Sequence, residues 1–439
     1  MPTPAPRLQA FRAGILHFVD DPAQAGDAAV VAHEDGLLVL ADGKVRAFGE
    51  AAELLPGLPP EVELTDYRGR LLMPGFIDCH AHYPQTDVIA SPGEQLLRWL
   101  ERYVFPCEAR FADATVARET AGFFCDELLR NGTTSAQCFA TVHPQAVDAL
   151  FAAAEARGMR MTTGLVLMDR NAPAALSVDA ELAHAQGEEL IARWHGRGRA
   201  RYAVTPRFAA TSSARQLELA GRQFAAHPGV HLQSHLAENR GEVAWVAELF
   251  PAARSYLDVF DRYGLLGERA IYAHCIHIDD TDRRRLAESG SAIAFCPTSN
   301  LFLGSGLFDI DAARAQGVGV GLATDVGAGT SFSMLRTMSE AYKVGQLRGR
   351  ALSPWSAFYH ATLGAARALR MEDTVGSFAP GCEGDFVVLD LQATPLLARR
   401  VERARDLEER LFALMTLGDD RAVNATWVMG ECRHRRGAA

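Results

Sequence analysis

Apolar residues change rhythm twice along this chain. Near the start, short apolar runs at 11–19, 37–40 and 45–48 are separated by polar turns, and Asp42-Gly43 between the last two has the composition of a tight hairpin. The same pattern returns near the other end at 385–389 and 425–429, with Gly430 after the second run. These runs predict one small β-domain assembled from both ends of the chain, residues 1–70 and 376–439.

Between them, apolar runs of strand length alternate with longer stretches of helical period. Strands are expected at 71–77, 133–138, 159–167, 201–205, 230–235, 271–274, 292–296 and 318–323. Helices are expected at 115–130, 144–157, 177–194, 214–226, 242–250, 281–288 and 309–316, with 333–348 after the last strand. Eight strand–helix units in series imply a parallel sheet, and eight is the number that closes a barrel. The fold class is therefore α/β: a (β/α)8 TIM-like barrel over residues 71–375, carrying the small β-domain.

Composition narrows the function classes. A chain of 439 residues, 48% hydrophobic, can bury a large core. The net charge of -10 argues against a nucleic-acid or anionic-membrane partner. No leader is evident in Met1–Ala10 and no apolar run is long enough to span a membrane. The eight cysteines form no C-x-x-C pair and read as buried thiols of a reducing cytoplasm.

Candidate chemistry collects at the expected carboxyl ends of the strands, the working face of such a barrel. The first strand runs into Asp78-Cys79-His80-Ala81-His82, and residues i and i+2 of an extended segment share a face. The fifth strand ends at His235, the sixth at His274, and Asp325 follows the eighth. Three or four imidazoles and one carboxylate thus reach one mouth, a donor set suited to Zn²⁺ and acceptable to Fe²⁺. Glu238, three residues after His235, can hang over that mouth and shuttle protons. Taken alone it would read as a helix-end carboxylate. The only lysines are Lys44 and Lys343, neither near a middle strand, so a carboxylated lysine bridging two metals is ruled out and one metal is expected. His17, His33, His184, His195 and His227 read as structural.

Pro74-Gly75-Phe76-Ile77-Asp78-Cys79-His80-Ala81-His82 resembles the opening motif of the amidohydrolase superfamily, and the later histidines and Asp325 follow in that superfamily's order. Narrower segments resemble its guanine deaminase branch. They are His82-Tyr83-Pro84-Gln85-Thr86-Asp87, the run from Glu94-Gln95 to Leu100, Phe105-Pro106, Thr205-Pro206-Arg207-Phe208, Ser234 to Asn239, Cys296 to Leu301 and Thr324 to Thr330. Cys79 and Val326 stand where that branch more often has other residues.

The resemblance implies that His80, His82, His235 and Asp325 hold one zinc. It implies that His274 bonds the attacking water or the tetrahedral intermediate, and that Glu238, Asp325 and His274 act in catalysis. The substrate, guanine, would touch His82, Gln85, Arg207, Phe208, His235, Glu238 and Asp325. An amide such as Gln85 offers both a donor and an acceptor, and Arg207 a fork of donors for a carbonyl oxygen. Without the resemblance, Arg207 would read as a structural ion pair and Phe208 as core. A homodimer is also implied. The rival expectations are deamination of another heterocycle (an oxidised purine, pterin or triazine) on the same barrel, ring-opening of a cyclic amide, and a non-catalytic assembly protein on a decayed barrel.

Overall fold

A computed structural model describes residues 6–93 and 95–437. Residues 1–5, within the stretch where no leader is expected, and Glu94 of the resemblance motif lie outside the described residues, as do the outermost ends of the expected β-domain.

The barrel strands are Phe76–His82, Thr133–Phe139, Arg160–Gly164, Ala200–Pro206, His231–Leu236, Ala270–His274, Ala292–Phe295 and Gly319–Leu322, hydrogen-bonded in that order and parallel throughout. A short extra strand, Val166–Leu167, pairs with Ala200–Pro206, so the expected third strand at 159–167 is interrupted at Leu165. Among the described residues, no ladder joins the last strand to the first. The seam is sewn by loop bonds instead: Asp325 N–H donates to His80 O at 2.9 Å and His82 N–H to Val326 O at 2.6 Å. Behind them, Asp78 accepts from the Thr324 N–H at 3.0 Å and from its hydroxyl.

The other sheet has seven strands among the described residues, and its order interleaves the two ends of the chain: Glu431–Arg435, Val423–Val428, Phe386–Leu389, Glu63–Pro74, Leu8–Phe18, Val30–Ala41 and Lys44–Glu50. Its hairpin turns at Asp42-Gly43, where φ is 50° and 76°, the left-handed pair such a turn requires.

The expected strand at 71–77 is two strands. Leu71–Pro74 pairs with Phe386–Leu389 in the outer sheet, and the barrel begins only at Phe76. Both halves are apolar, so hydrophobicity alone cannot divide them. Gly75 is the joint, because a Cβ there would lie 2.2 Å from the Thr134 hydroxyl. Two further helices, Pro395–Val401 and Leu407–Leu417, interrupt the carboxyl-terminal β-segment. Leu411, Leu414 and Met415 of the second are buried in the same core as Met334, Leu335 and Met338 of the barrel helix Met334–Leu347. A barrel-facing stripe of that kind needs a helical partner.

The strand Phe76–His82 delivers the first two histidines. Ile77 and Cys79 pack in one cluster with Ile271, Ala273, Ala292 and Ala294 of the sixth and seventh strands and with Ala365, Ala366 and Leu369. A register irregularity between Asp78 and Ala81 follows, and His80 and His82, two residues apart, then turn together toward the site. Seven of the eight thiols are buried and none is paired; Cys432, expected to be buried, is exposed on the edge strand Glu431–Arg435. Among the described residues, no strand pairs with the outer side of that edge strand. No helix among the described residues is long and apolar enough to cross a membrane.

Candidate active site

Strand ends and the loops that follow them deliver side chains to one point. The Nε2 of His82 lies 3.1 Å from the Nε2 of His80 and 3.1 Å from that of His235. Asp325 places Oδ1 3.2 Å from His80 Nε2 and 3.4 Å from His82 Nε2, and Oδ2 3.7 Å from His274 Nε2. Imidazole nitrogens crowd together in this way when a cation fills the space between them. Sets drawn from His80, His82, His235, His274 and Asp325 have donor atoms within 4.8 Å of one another.

Protonation agrees with that reading. Burial lowers the His82 imidazole to about 3, and burial with the neighbouring imidazoles of His80, His82 and His274 holds His235 well below its ordinary value. Both are neutral and free to coordinate. Burial pushes Asp325 up, but the adjoining imidazoles of His80 and His82 outweigh it and hold the carboxyl well below its ordinary value. The set is aimed from behind. His235 Nδ1 bonds the Arg207 carbonyl at 2.6 Å, and His274 Nδ1 bonds Asn300 Oδ1 at 2.8 Å, leaving both Nε2 atoms forward. The buried His274 Nε2 has no hydrogen-bond partner among the described residues, the mark of a group that awaits a ligand. The residues present therefore fit a metal ion.

The backbone is strained where these residues leave their strands. Ala237, His274 and Asp325 have φ of 48°, 71° and 52°, left-handed values that non-glycine residues seldom adopt. Each costs about 1–3 kcal/mol and persists only where the surroundings enforce it, as they do around active sites.

Glu238 lies between the strand His231–Leu236 and the helix Arg240–Leu249, and it is not the helix cap. Asn239 caps the helix, with Glu242 completing the capping box. Glu238 is only 3% exposed, with Oε2 3.4 Å from His274 Nε2 and Oε1 accepting from the Ser305 hydroxyl at 3.0 Å. Burial, reinforced by the charge of Asp325, raises its carboxyl to about 8. It is thus protonated at neutral pH and can give that proton away.

A cavity opens over the cluster. It is lined by His82, Gln85, Arg207, Phe208, His235, Glu238, His274 and Asp325, so every expected site residue except His80 borders this space. Arg207 does both things weighed for it: it lines the cavity and makes a buried ion pair with Glu108. Phe208 is likewise both core and cavity wall. The wall also contains Leu96, Trp99, Leu100, Leu303 and Ala328, to which the sequence alone assigns no role. Gly327 sits so close to Gln85 that a Cβ would lie 2.4 Å from the Gln85 carbonyl oxygen. Of the histidines expected to be structural, His33 pairs with Glu50, His195 with Tyr202 and His227 with Glu188. Lys343 pairs with Glu340, and Lys44 lies in the outer sheet.

A parallel barrel with clustered imidazoles, an ionised aspartate and a buried protonated glutamate defines a class. The chain belongs to the amidohydrolase family, whose model matches residues 71–433. That family is metal-dependent, and the histidine–aspartate cluster is able to hold a metal ion. Within it, the chain is 51% identical to the guanine deaminase of Escherichia coli (strain K12), over 92% of each chain. The solved E. coli guanine deaminase superposes with a TM-score of 0.94 at 47% identity, over 98% of this chain and 99% of that one. The guanine deaminase of C. acetobutylicum, solved with guanine bound in its active site, superposes with a TM-score of 0.87 at 29% identity, covering 97% and 99%.

Proposed function

We propose that this chain deaminates guanine hydrolytically to xanthine and ammonia. The observation that carries the reading is the meeting, in one cavity, of the metal-competent cluster, the protonated Glu238 and the donor groups of Gln85 and Arg207. The likeness to guanine deaminases along nearly the whole chain supports the same substrate.

His80, His82, His235 and Asp325 hold the metal; the nitrogen-and-oxygen donor set favours zinc and also accepts Fe²⁺. A divalent metal held there supplies the Lewis acidity that makes a water nucleophilic near neutrality. Gln85 and Arg207 fix the plane and edge of the purine, and Phe208 closes an apolar side. Asp325 takes a proton from the attacking water. Glu238 donates its proton to a ring nitrogen, N3, as the water oxygen joins C2. His274, held from behind by Asn300, turns Nε2 to the oxygen that joins C2 and positions it. The proton held by Asp325 then passes to the departing amine, the remaining hydroxyl proton restores Glu238, and ammonia leaves. Guanine is a small-molecule partner; nucleic acid and membrane are not partners in this reading. The homodimer rests on the resemblance alone. The buried unpaired thiols support a cytoplasmic location.

Ammonia release from a panel of aminated heterocycles tests the substrate. Guanine should be the best of them; equal or faster turnover of a pterin or triazine would replace guanine in the reading. Elemental analysis should find about one transition metal per chain. Two equivalents, or none after zinc supplementation, would count against the single-metal assignment.

Arg207 supplies a sharper substrate test. It donates to a carbonyl at C6 and would oppose an amino group there, donor facing donor, at a cost of about 1–3 kcal/mol. Release of the 2-amino group from 2,6-diaminopurine should therefore be much slower than from guanine, and Arg207→Leu should narrow the gap. Equal losses on both substrates would mean that Arg207 supports the site without reading C6.

A further inference from the structure

Glu108 stands behind the cavity wall, on the short helix Phe105–Ala109, with 0% of its surface exposed. Its Oε1 accepts from Gln85 Nε2 at 3.0 Å, and its Oε2 accepts from Arg207 Nη1 at 2.6 Å. Arg207 is only 2% exposed, and its guanidinium lies over the Phe105 ring, 5.5 Å from the centroid. Gln85 and Arg207 border the cavity, whereas Glu108 does not. One hidden carboxylate thus braces two cavity groups from distant parts of the chain.

Two physical consequences follow from this arrangement. An amide presents nearly the same shape when its oxygen and nitrogen are exchanged, but a carboxylate accepts only from the N–H₂ end. Glu108 therefore fixes the Gln85 amide with Nε2 toward the wall; the reverse orientation would set acceptor against acceptor. The Oε1 end stays where the Gly327 N–H approaches it at 3.4 Å. The second consequence is one of charge. A buried guanidinium without a counter-charge draws anions, whereas one paired with a carboxylate leaves its remaining N–H groups to serve a neutral carbonyl.

We propose that Glu108 is a positioning residue that fixes the Gln85 amide and cancels the charge of Arg207, so that the cavity holds a neutral 6-oxo purine and lets an anionic one go. The proposal rests on the guanine reading given above. Deamination at C2 exchanges an amino group for a second ring carbonyl, which makes the product a stronger acid than the substrate. A cavity wall of zero net charge therefore favours substrate over product.

The test uses two purines that have no amino group to lose. Hypoxanthine is neutral and 6-oxo; xanthine, the product, is anionic in mildly alkaline buffer. Calorimetric titration of the metal-loaded protein with each gives an affinity ratio, compared between wild type and Glu108→Gln. The amide can accept for one partner only and carries no charge. The hypoxanthine-to-xanthine ratio should fall by about tenfold or more in that variant, with xanthine binding no more weakly than to wild type. The guanine KM should rise more than kcat falls. General damage to the site would weaken both ligands alike and leave the ratio unmoved. Glu108→Asp keeps the charge but is one methylene too short to span both partners, so it should weaken hypoxanthine while the ratio stays near the wild-type value. An unchanged ratio in folded Glu108→Gln, or a collapsed ratio in Glu108→Asp, overturns the proposal. Should wild-type protein release no ammonia from guanine, the underlying reading fails and this one with it. If guanine is turned over and the ratio does not move, only the role of Glu108 falls.

Discussion

Glu238→Gln should lower guanine turnover by about two to four orders of magnitude while leaving the bound metal in place. The amide matches the carboxylic acid in shape and can still accept from the Ser305 hydroxyl, so the fold around it should hold. What it loses is a transferable proton. Glu238 is protonated in the resting protein because burial and the Asp325 charge oppose its ionisation, and it lies 3.4 Å from His274 Nε2. The measurement is kcat beside metal content on the same preparation. Near-normal turnover at full metal occupancy would reduce Glu238 to a buried spacer and remove the acid from the mechanism.

Asp325→Asn should be at least as damaging. The aspartate has two tasks: its Oδ1 stands among the imidazoles of His80 and His82, and its Oδ2 is turned toward His274. The amide retains one acceptor but cannot receive a proton from water, and it contributes no negative charge to balance a divalent cation. Turnover should fall by about three orders of magnitude or more even with excess metal, and metal content after dialysis should drop. Turnover within tenfold of wild type under saturating metal would show that neither task belongs to this residue.

Much of this arrangement is legible in the chain. The helix Pro144–Arg157 begins and ends where its apolar period, its proline and Gly158 place it. The residues proposed to hold the metal stand out because a two-residue spacing on one strand sets two imidazoles on the same face, and three later strand ends aim at the same mouth. What stays hidden depends on tertiary proximity. Glu108 and Arg207 are separated by 99 positions, and nothing local marks Glu108 as anything but a helical glutamate. Asn300, Ser305 and Glu242 are ordinary polar residues until the fold sets them beside His274 and Glu238. The break at Gly75 is not visible in advance because a Pro-Gly pair within an apolar run marks a bend without saying which sheet each half will join. The helices Pro395–Val401 and Leu407–Leu417 are short, and the strands on either side of them carry the stronger apolar signal.

The open seam of the barrel sets an order of events during synthesis. His80 and His82 belong to the first barrel strand, and the loop that joins them to Asp325 follows the last. The strand just ahead of the barrel, Glu63–Pro74, waits for Phe386–Leu389 as its neighbour. A nascent chain therefore emerges with its first two histidines early and without the carboxylate that completes the set. It can close the ring only once Asp325 and Val326 have been made, and finish the outer sheet only after Glu431–Arg435. A contact map weighted toward such distant pairs belongs to chains that fold slowly, and here it also makes the reactive centre one of the last features to assemble.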